Sequence, residues 1–263
     1  MSDNQIVKNS RTDFAVPVIT YHSIDDSGSV VSTSPEIFRQ QIANLNDAGY
    51  RTLTLHDLAE TVRTNDAPQE NGIVLTFDDG FENFQTVAYP ILEAVGFTAT
   101  VFLVSDKCGR RNDWIGNPPD LPNSRLLSWG QVRELAACGI EFGSHTATHR
   151  DLTAIDEDAV LSELVRSKEA IGEATGKEAT SFAYPFGRMN AVTKRLVADH
   201  YSSACSTNLG KVTGTSDIFA LERIDAYYLS DPASMLKLNT HRMGAYLAVR
   251  QVLRSAKAAF ASA

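Results

Sequence analysis

Short apolar runs rich in Val, Ile and Thr recur along this chain, and most are followed by a stretch with apolar residues at helical spacing. The runs fall at residues 16–21, 51–55, 73–77, 98–104, 140–143, 181–184, 202–206 and 221–227. Helical patterns occupy 35–48, 56–64, 82–95, 128–137, 156–175, 191–199 and most of 231–260. The first is well bounded: Ser34 can cap it, Pro35 suits the first helical position, Phe38, Ile42 and Leu45 repeat on one face, and Gly49 ends it. Strands alternating with helices require mainly parallel pairing through helical crossovers. About eight strands predict an α/β fold, a distorted (β/α) barrel of seven or eight strands in a single domain. No repeat or linker divides the chain, and 263 residues suit one barrel of roughly 250. The domain is expected over 14–263 with a C-terminal helix, after a polar, frayed segment at 1–13.

Charge and cysteine content narrow the function. With 24 Lys+Arg against 32 Asp+Glu the formal net charge is −8. That balance argues against nucleic acid, whose affinity comes from cations neutralising phosphates. A neutral sugar is compatible with it. The three cysteines, Cys108, Cys138 and Cys205, are scattered and odd in number, so they suggest neither a disulfide framework nor a metal-binding CxxC pair. The N-terminus lacks a basic segment followed by an apolar one, and no run reaches the ~18 residues of a membrane span. As written the chain is expected to be cytoplasmic, with a removed signal left open. Nothing in the sequence fixes an oligomeric state.

Three strand ends carry chemistry. Thr76-Phe77-Asp78-Asp79-Gly80 closes an apolar run, and a parallel barrel keeps its active site at that end of the strands. Two adjacent carboxylates repel unless a cation or proton intervenes; the competing reading is an Asp-Gly turn with solvated acids. Ser144-His145-Thr146-Ala147-Thr148-His149 closes another run. Its histidines share a face if the segment takes a helical turn, which suits zinc or a similar metal; otherwise they are surface loop residues. Together the two segments supply two histidines and an aspartate, leaving an open coordination position. At the third end, Phe182-Ala183-Tyr184-Pro185-Phe186-Gly187, Pro185 stiffens the chain and Gly187 allows a close turn, so backbone N–H groups can face a ligand. An ordinary aromatic turn is equally compatible. The irregular stretch 108–125 is either a surface insertion or a functional loop. It would bring Trp114 to the catalytic face as an apolar wall for a sugar ring, with Trp129 just beyond packing inward.

The segments TFDDG, SHTATH and AYPFG, in this order and spacing, resemble the first three motifs of the NodB-homology polysaccharide deacetylases, carbohydrate esterase family four, over roughly residues 14–228. The resemblance implies a distorted barrel and metal-dependent removal of N-acetyl or O-acetyl groups from a carbohydrate substrate. It implies that Asp78 is the catalytic base and that Asp79, His145 and His149 hold a divalent metal, zinc first, with cobalt or nickel as replacements. Tyr184, Pro185 and Phe186 would face the substrate, the Phe186 N–H helping to bind the oxyanion. An arginine that often opens the third motif is missing. Arg223 could substitute, although a surface or structural ion pair is the simpler expectation. The late Leu-x-Leu-x-His segment that usually carries the general acid is poorly imitated at 236–241. His22, after a Tyr at the first strand end, resembles the acid of the circularly permuted branch that includes poly-N-acetylglucosamine deacetylases; a buried histidine bonded to backbone is the alternative. Two rival functions remain: hydrolysis of a small non-sugar amide on the same fold, and a non-catalytic sugar-binding domain.

Overall fold

Val18–Tyr21 (β1), Arg51–Leu53 (β2), Gly72–Phe77 (β3), Thr100–Leu103 (β4), Glu141–Ser144 (β5), Ser181–Ala183 (β6), Ser203–Leu209 (β7) and Leu221–Asp225 (β8) form one parallel sheet in the computed structural model. The structure describes residues 14–67 and 71–261; the segment 1–13, expected to fray, lies outside them. The order is β1-β8-β7-β6-β5-β4-β3-β2, and β1 also pairs with β3 from Val18↔Val74 to Tyr21↔Phe77. That pairing closes a barrel of seven strands. The eighth, β2, pairs with the first half of β3 (Arg51↔Gly72 to Leu53↔Val74), while β4 takes the second half (Thr76↔Thr100, Phe77↔Val101). The missing stretch of the β3–β4 ladder is the distortion of this barrel.

Side-chain alternation sorts each strand into two environments. Ile19, Tyr21, Leu75, Phe77, Val101 and Leu103 join the cluster that also contains Phe38, Ile42 and Leu45 of α1 (Pro35–Asp47). The intervening Val18, Val74, Phe102, Ala183, Cys205 and Leu221 meet one another in a second cluster, filled from six barrel strands. Each fully buried Leu, Ile or Phe contributes about 1.5–3 kcal/mol over its exposed state, so both surfaces of the sheet resist a register slip.

The remaining helices are α2 (Leu55–Thr64), α3 (Tyr89–Glu93), α4 (Trp129–Ala137), α5 (Glu157–Thr175), α6 (Ala191–His200) and α7 (His241–Ala261). Capping follows the sequence: Ser34 accepts from Ile37 N, and Ser128 with Gln131 forms a capping box. The helix expected at 82–95 departs from regularity. Phe84–Ala88 is a π-helical turn, and α3 covers only the five residues after it. Pro90 is the physical reason, since it has no N–H to give to the preceding turn. Likewise, 231–260 is not one helix: Pro232–Lys237 is 3-10, and α7 begins at His241. Among the described residues no helix is long and apolar enough to cross a membrane.

Candidate active site

The inward positions of β3 run Val74, Thr76 and then Asp78, one residue past the strand. Those of β8 run Leu221 and then Arg223. Two strands that both border β1 therefore deliver a carboxylate and a guanidinium to the same level of the barrel mouth. Arg223 Nη1 donates to Asp78 Oδ1 at 2.7 Å and Nη2 to Oδ2 at 2.8 Å, while Nε donates to the Ser206 carbonyl at 3.0 Å. Asp78 N–H donates to the Tyr21 carbonyl at 2.9 Å. Both side chains are buried. Burial pushes the Asp78 carboxyl up, but the Arg223 charge, with His145 and His22, holds it well below the usual carboxylate range. The expectation of a surface ion pair at Arg223 needs correcting: the residue is 3% exposed, and its ion pair grips Asp78 at both oxygens. An arginine two residues after Leu221, on the same face of the strand, was the signal available in the sequence.

Asp79 turns away from its neighbour because the chain bends there, with φ +72° at Asp79 and +71° at Gly80. Its Oδ1 lies 3.3 Å from His149 Nε2 and 3.6 Å from His145 Nε2. His145 Nδ1 is 2.7 Å from the Ala183 carbonyl, so the ring is fixed with Nε2 aimed at Asp79. Burial, partly offset by the nearby carboxylates, pushes His145 down to about 4, which keeps the imidazole neutral. The histidines do not meet on a helical turn. Thr146 (φ +70°) and His149 (φ +63°) are left-handed, and the loop is held by Thr146 Oγ1 accepting from His149 N and by Glu163 accepting from Thr148 N and Oγ1. Such backbone costs of order 1–3 kcal/mol per residue, and it is concentrated at the site.

These three side chains fit a divalent cation. Their ligand atoms all lie within 4.8 Å of one another, and Asp79 Oδ1 is buried with no hydrogen-bond partner. Two ligands at about 2.1 Å from one tetrahedral ion stand roughly 3.4 Å apart, close to the spacings found.

His22 follows β1 and lines the same cavity of about 210 Å³. Its Nε2 is 3.9 Å from Asp78 Oδ2, and among the described residues its ring makes no backbone hydrogen bond. Phe186 and Gly187 adopt φ +58° and +66°. The turn closes through Gly187 N–H to Tyr184 O and Arg188 N–H to Pro185 O, a pattern that does not use the Phe186 N–H. A Cβ on Gly187 would come within 2.1 Å of Thr207 Oγ1, so no other residue fits. Tyr184 and Phe186 line the cavity; Pro185 is buried beneath the turn and does not. Tyr184 is itself 1% exposed, with its hydroxyl donated to the Phe219 carbonyl. The loop at 108–125 is pinned by Asn112, which bonds Ser124 N and the Pro122 carbonyl. It lays Trp114 on His149, ring centroids 4.5 Å apart and 28° from parallel. Phe186 meets the same imidazole edge-on at 4.7 Å. Trp129 packs on the outer core, and His241 is exposed at the start of α7.

A family model described as polysaccharide deacetylase matches residues 65–202, just over half of the chain. The chain belongs to the polysaccharide deacetylase family. It is 29% identical over 210 residues to YxkH of Bacillus subtilis (strain 168), covering 80% of this chain and 70% of that protein. It is also 29% identical over 141 residues to the poly-beta-1,6-N-acetyl-D-glucosamine N-deacetylase of Escherichia coli (strain K12), across 49% of this chain but only 20% of that one. Among solved structures, the Streptococcus pyogenes deacetylase PplD in complex with acetate superposes with a TM-score of 0.76 at 26% identity, over 86% of this chain and 98% of that chain. IcaB from Ammonifex degensii shares the fold, with a TM-score of 0.68 at 22% identity over 84% and 97% of the two chains. The family model's match ends before Arg223 and begins after His22. Two of the side chains around Asp78 thus lie outside the matched segment.

Proposed function

We propose that this polysaccharide deacetylase is a metal-dependent hydrolase that removes acetyl groups, N-acetyl foremost, from an N-acetylglucosamine-containing oligo- or polysaccharide. The observation that carries the reading is one cavity lined by Asp79, His145 and His149 together with Asp78, Arg223 and His22. The E. coli relative is named for N-deacetylation of such a polymer, and the PplD structure holds acetate, the product of deacetylation.

Asp79, His145 and His149 would hold the cation; two imidazoles and a carboxylate favour zinc, with cobalt and nickel able to replace it. When bound, the cation supplies Lewis acidity toward the acetyl carbonyl and toward a water beside it. Asp78 accepts the water's proton. Arg223 keeps that carboxylate ionised and oriented, and each oxygen retains a lone pair beyond the one given to the guanidinium. The Phe186 N–H, outside the hydrogen bonds that close its turn, donates to the oxyanion. His22, 3.9 Å from Asp78, donates a proton to the departing nitrogen, which would otherwise leave as an amine anion.

Mass spectrometry of acetylated glucosamine oligomers incubated with metal-loaded protein tests this. Loss of acetyl groups, abolished by chelator and restored by metal, is expected. Intact oligomers alongside hydrolysis of a small non-sugar amide would move the activity to that rival substrate class.

A further inference from the structure

Arg254 belongs to α7, outside all three motif segments, yet it lines the same cavity. Two hydrogen bonds clamp this part of α7 to the end of β7: Arg254 Nη1 donates to the Thr207 carbonyl at 3.0 Å, and Leu209 N–H donates to Gln251 Oε1 at 2.8 Å. Thr207 in turn packs on Gly187 of the Phe186 turn. The guanidinium is therefore held beside the substrate-facing turn on a rigid element.

A guanidinium carries five N–H donors, and the Thr207 carbonyl takes one. Among the described residues no carboxylate pairs with Arg254. Arg223 is committed to Asp78 and Arg188 to Asp151 at 2.7 Å, while Arg250, one turn earlier on α7, lies over the Tyr228 and Tyr246 rings. Asp225 shares the cavity wall but accepts from Tyr227 N–H and makes no ion pair with Arg254. In a chain with net charge −8, a half-buried arginine left unpaired on the wall of the catalytic cavity calls for a ligand. The planar fork of donors matches an oxyanion.

We propose that Arg254 forms a subsite for an anionic substituent, a carboxylate or phosphate carried on or next to the acetylated sugar ring. The inference rests on the deacetylase reading and sharpens its substrate class. The test uses di-N-acetylchitobiose, the same disaccharide with an O-3 lactyl carboxylate on its reducing ring, and its 6-phosphate. Acetate release by metal-loaded enzyme should show a higher kcat/KM for at least one charged disaccharide than for the neutral one. Arg254→Gln should remove that advantage, a loss of roughly ten- to a hundredfold expected of a hydrogen bond to a charged group, and larger than any loss it causes on the neutral substrate. Arg254→Lys should recover part of it. Which charged disaccharide is preferred decides between carboxylate and phosphate. Equal kcat/KM for all three, or an Arg254→Gln loss shared by all three, would overturn the subsite and leave Arg254 as a helix-docking residue. If none of the three releases acetate, the deacetylase reading is what has failed. Calorimetric binding of the same disaccharides then decides the subsite: charge-selective binding lost in Arg254→Gln supports it, and binding indifferent to charge refutes it.

Discussion

Arg223 and Asp78 form a two-point ion pair inside the barrel mouth, between two strands that each border β1. The pair holds the Asp78 carboxyl below its ordinary value, so its contribution to stability is complete above the ordinary carboxylate pKa and is lost as pH falls through the lowered one. Arg223→Met removes the largest influence lowering Asp78, leaving only the weaker pull of His145 and His22 against burial, so the carboxyl rises. The variant should lose about 3–5 kcal/mol at neutral pH, with the gap to wild type narrowing toward pH 4. Urea unfolding across pH checks the stability, and the acid limb of kcat/KM should move upward in the variant. A gap independent of pH would contradict the account.

Asp79→Asn and His149→Asn should leave the fold intact, because asparagine tolerates the left-handed backbone at both positions. Each should weaken zinc binding by more than about a hundredfold, beyond the 10–100-fold cost of losing an outer-shell partner. Competition with a chromophoric chelator reads this directly. Wild-type zinc affinity in either variant would remove that residue from the metal centre.

His22→Ala should lower kcat on acetamido sugars by roughly 10²–10⁴ without changing metal content. Activated aryl acetates should suffer less, since their phenolate departs unprotonated. His241→Ala should be nearly silent, for His241 is exposed on α7 and does not line the cavity. An inactive His241→Ala beside a normal His22→Ala would reassign the acid.

Trp114→Ala removes the indole stacked on His149 and opens the cavity wall. KM for an oligosaccharide should rise by about tenfold, the scale of a lost aromatic contact. Zinc affinity should fall modestly, because His149 Nδ1 has no hydrogen bond and the rings around it hold the imidazole in place. Unchanged values for both would limit Trp114 to filling space.

The sequence by itself determined the barrel and the motif segments. Alternation of β-branched runs with helical spacing admits few other architectures, and a residue's place at a strand end follows from local pattern alone. Asp78, Asp79, His145, His149 and Phe186 were legible for that reason. Arg223 could be named only as a candidate stand-in for the missing motif arginine: it lies 145 residues from Asp78, and only closure of the ring through β1 sets the two at one level. Spacing alone brings the histidines onto one face only through a helical turn; left-handed residues at 146 and 149 bring them together instead, in a loop held by contacts to Glu163 of α5. The cavity wall at Arg254 likewise exists only because α7 folds back onto β7. Local periodicity fixes which way a side chain faces along its own segment. What it meets there depends on long-range pairing, and that information is carried by the packed barrel as a whole.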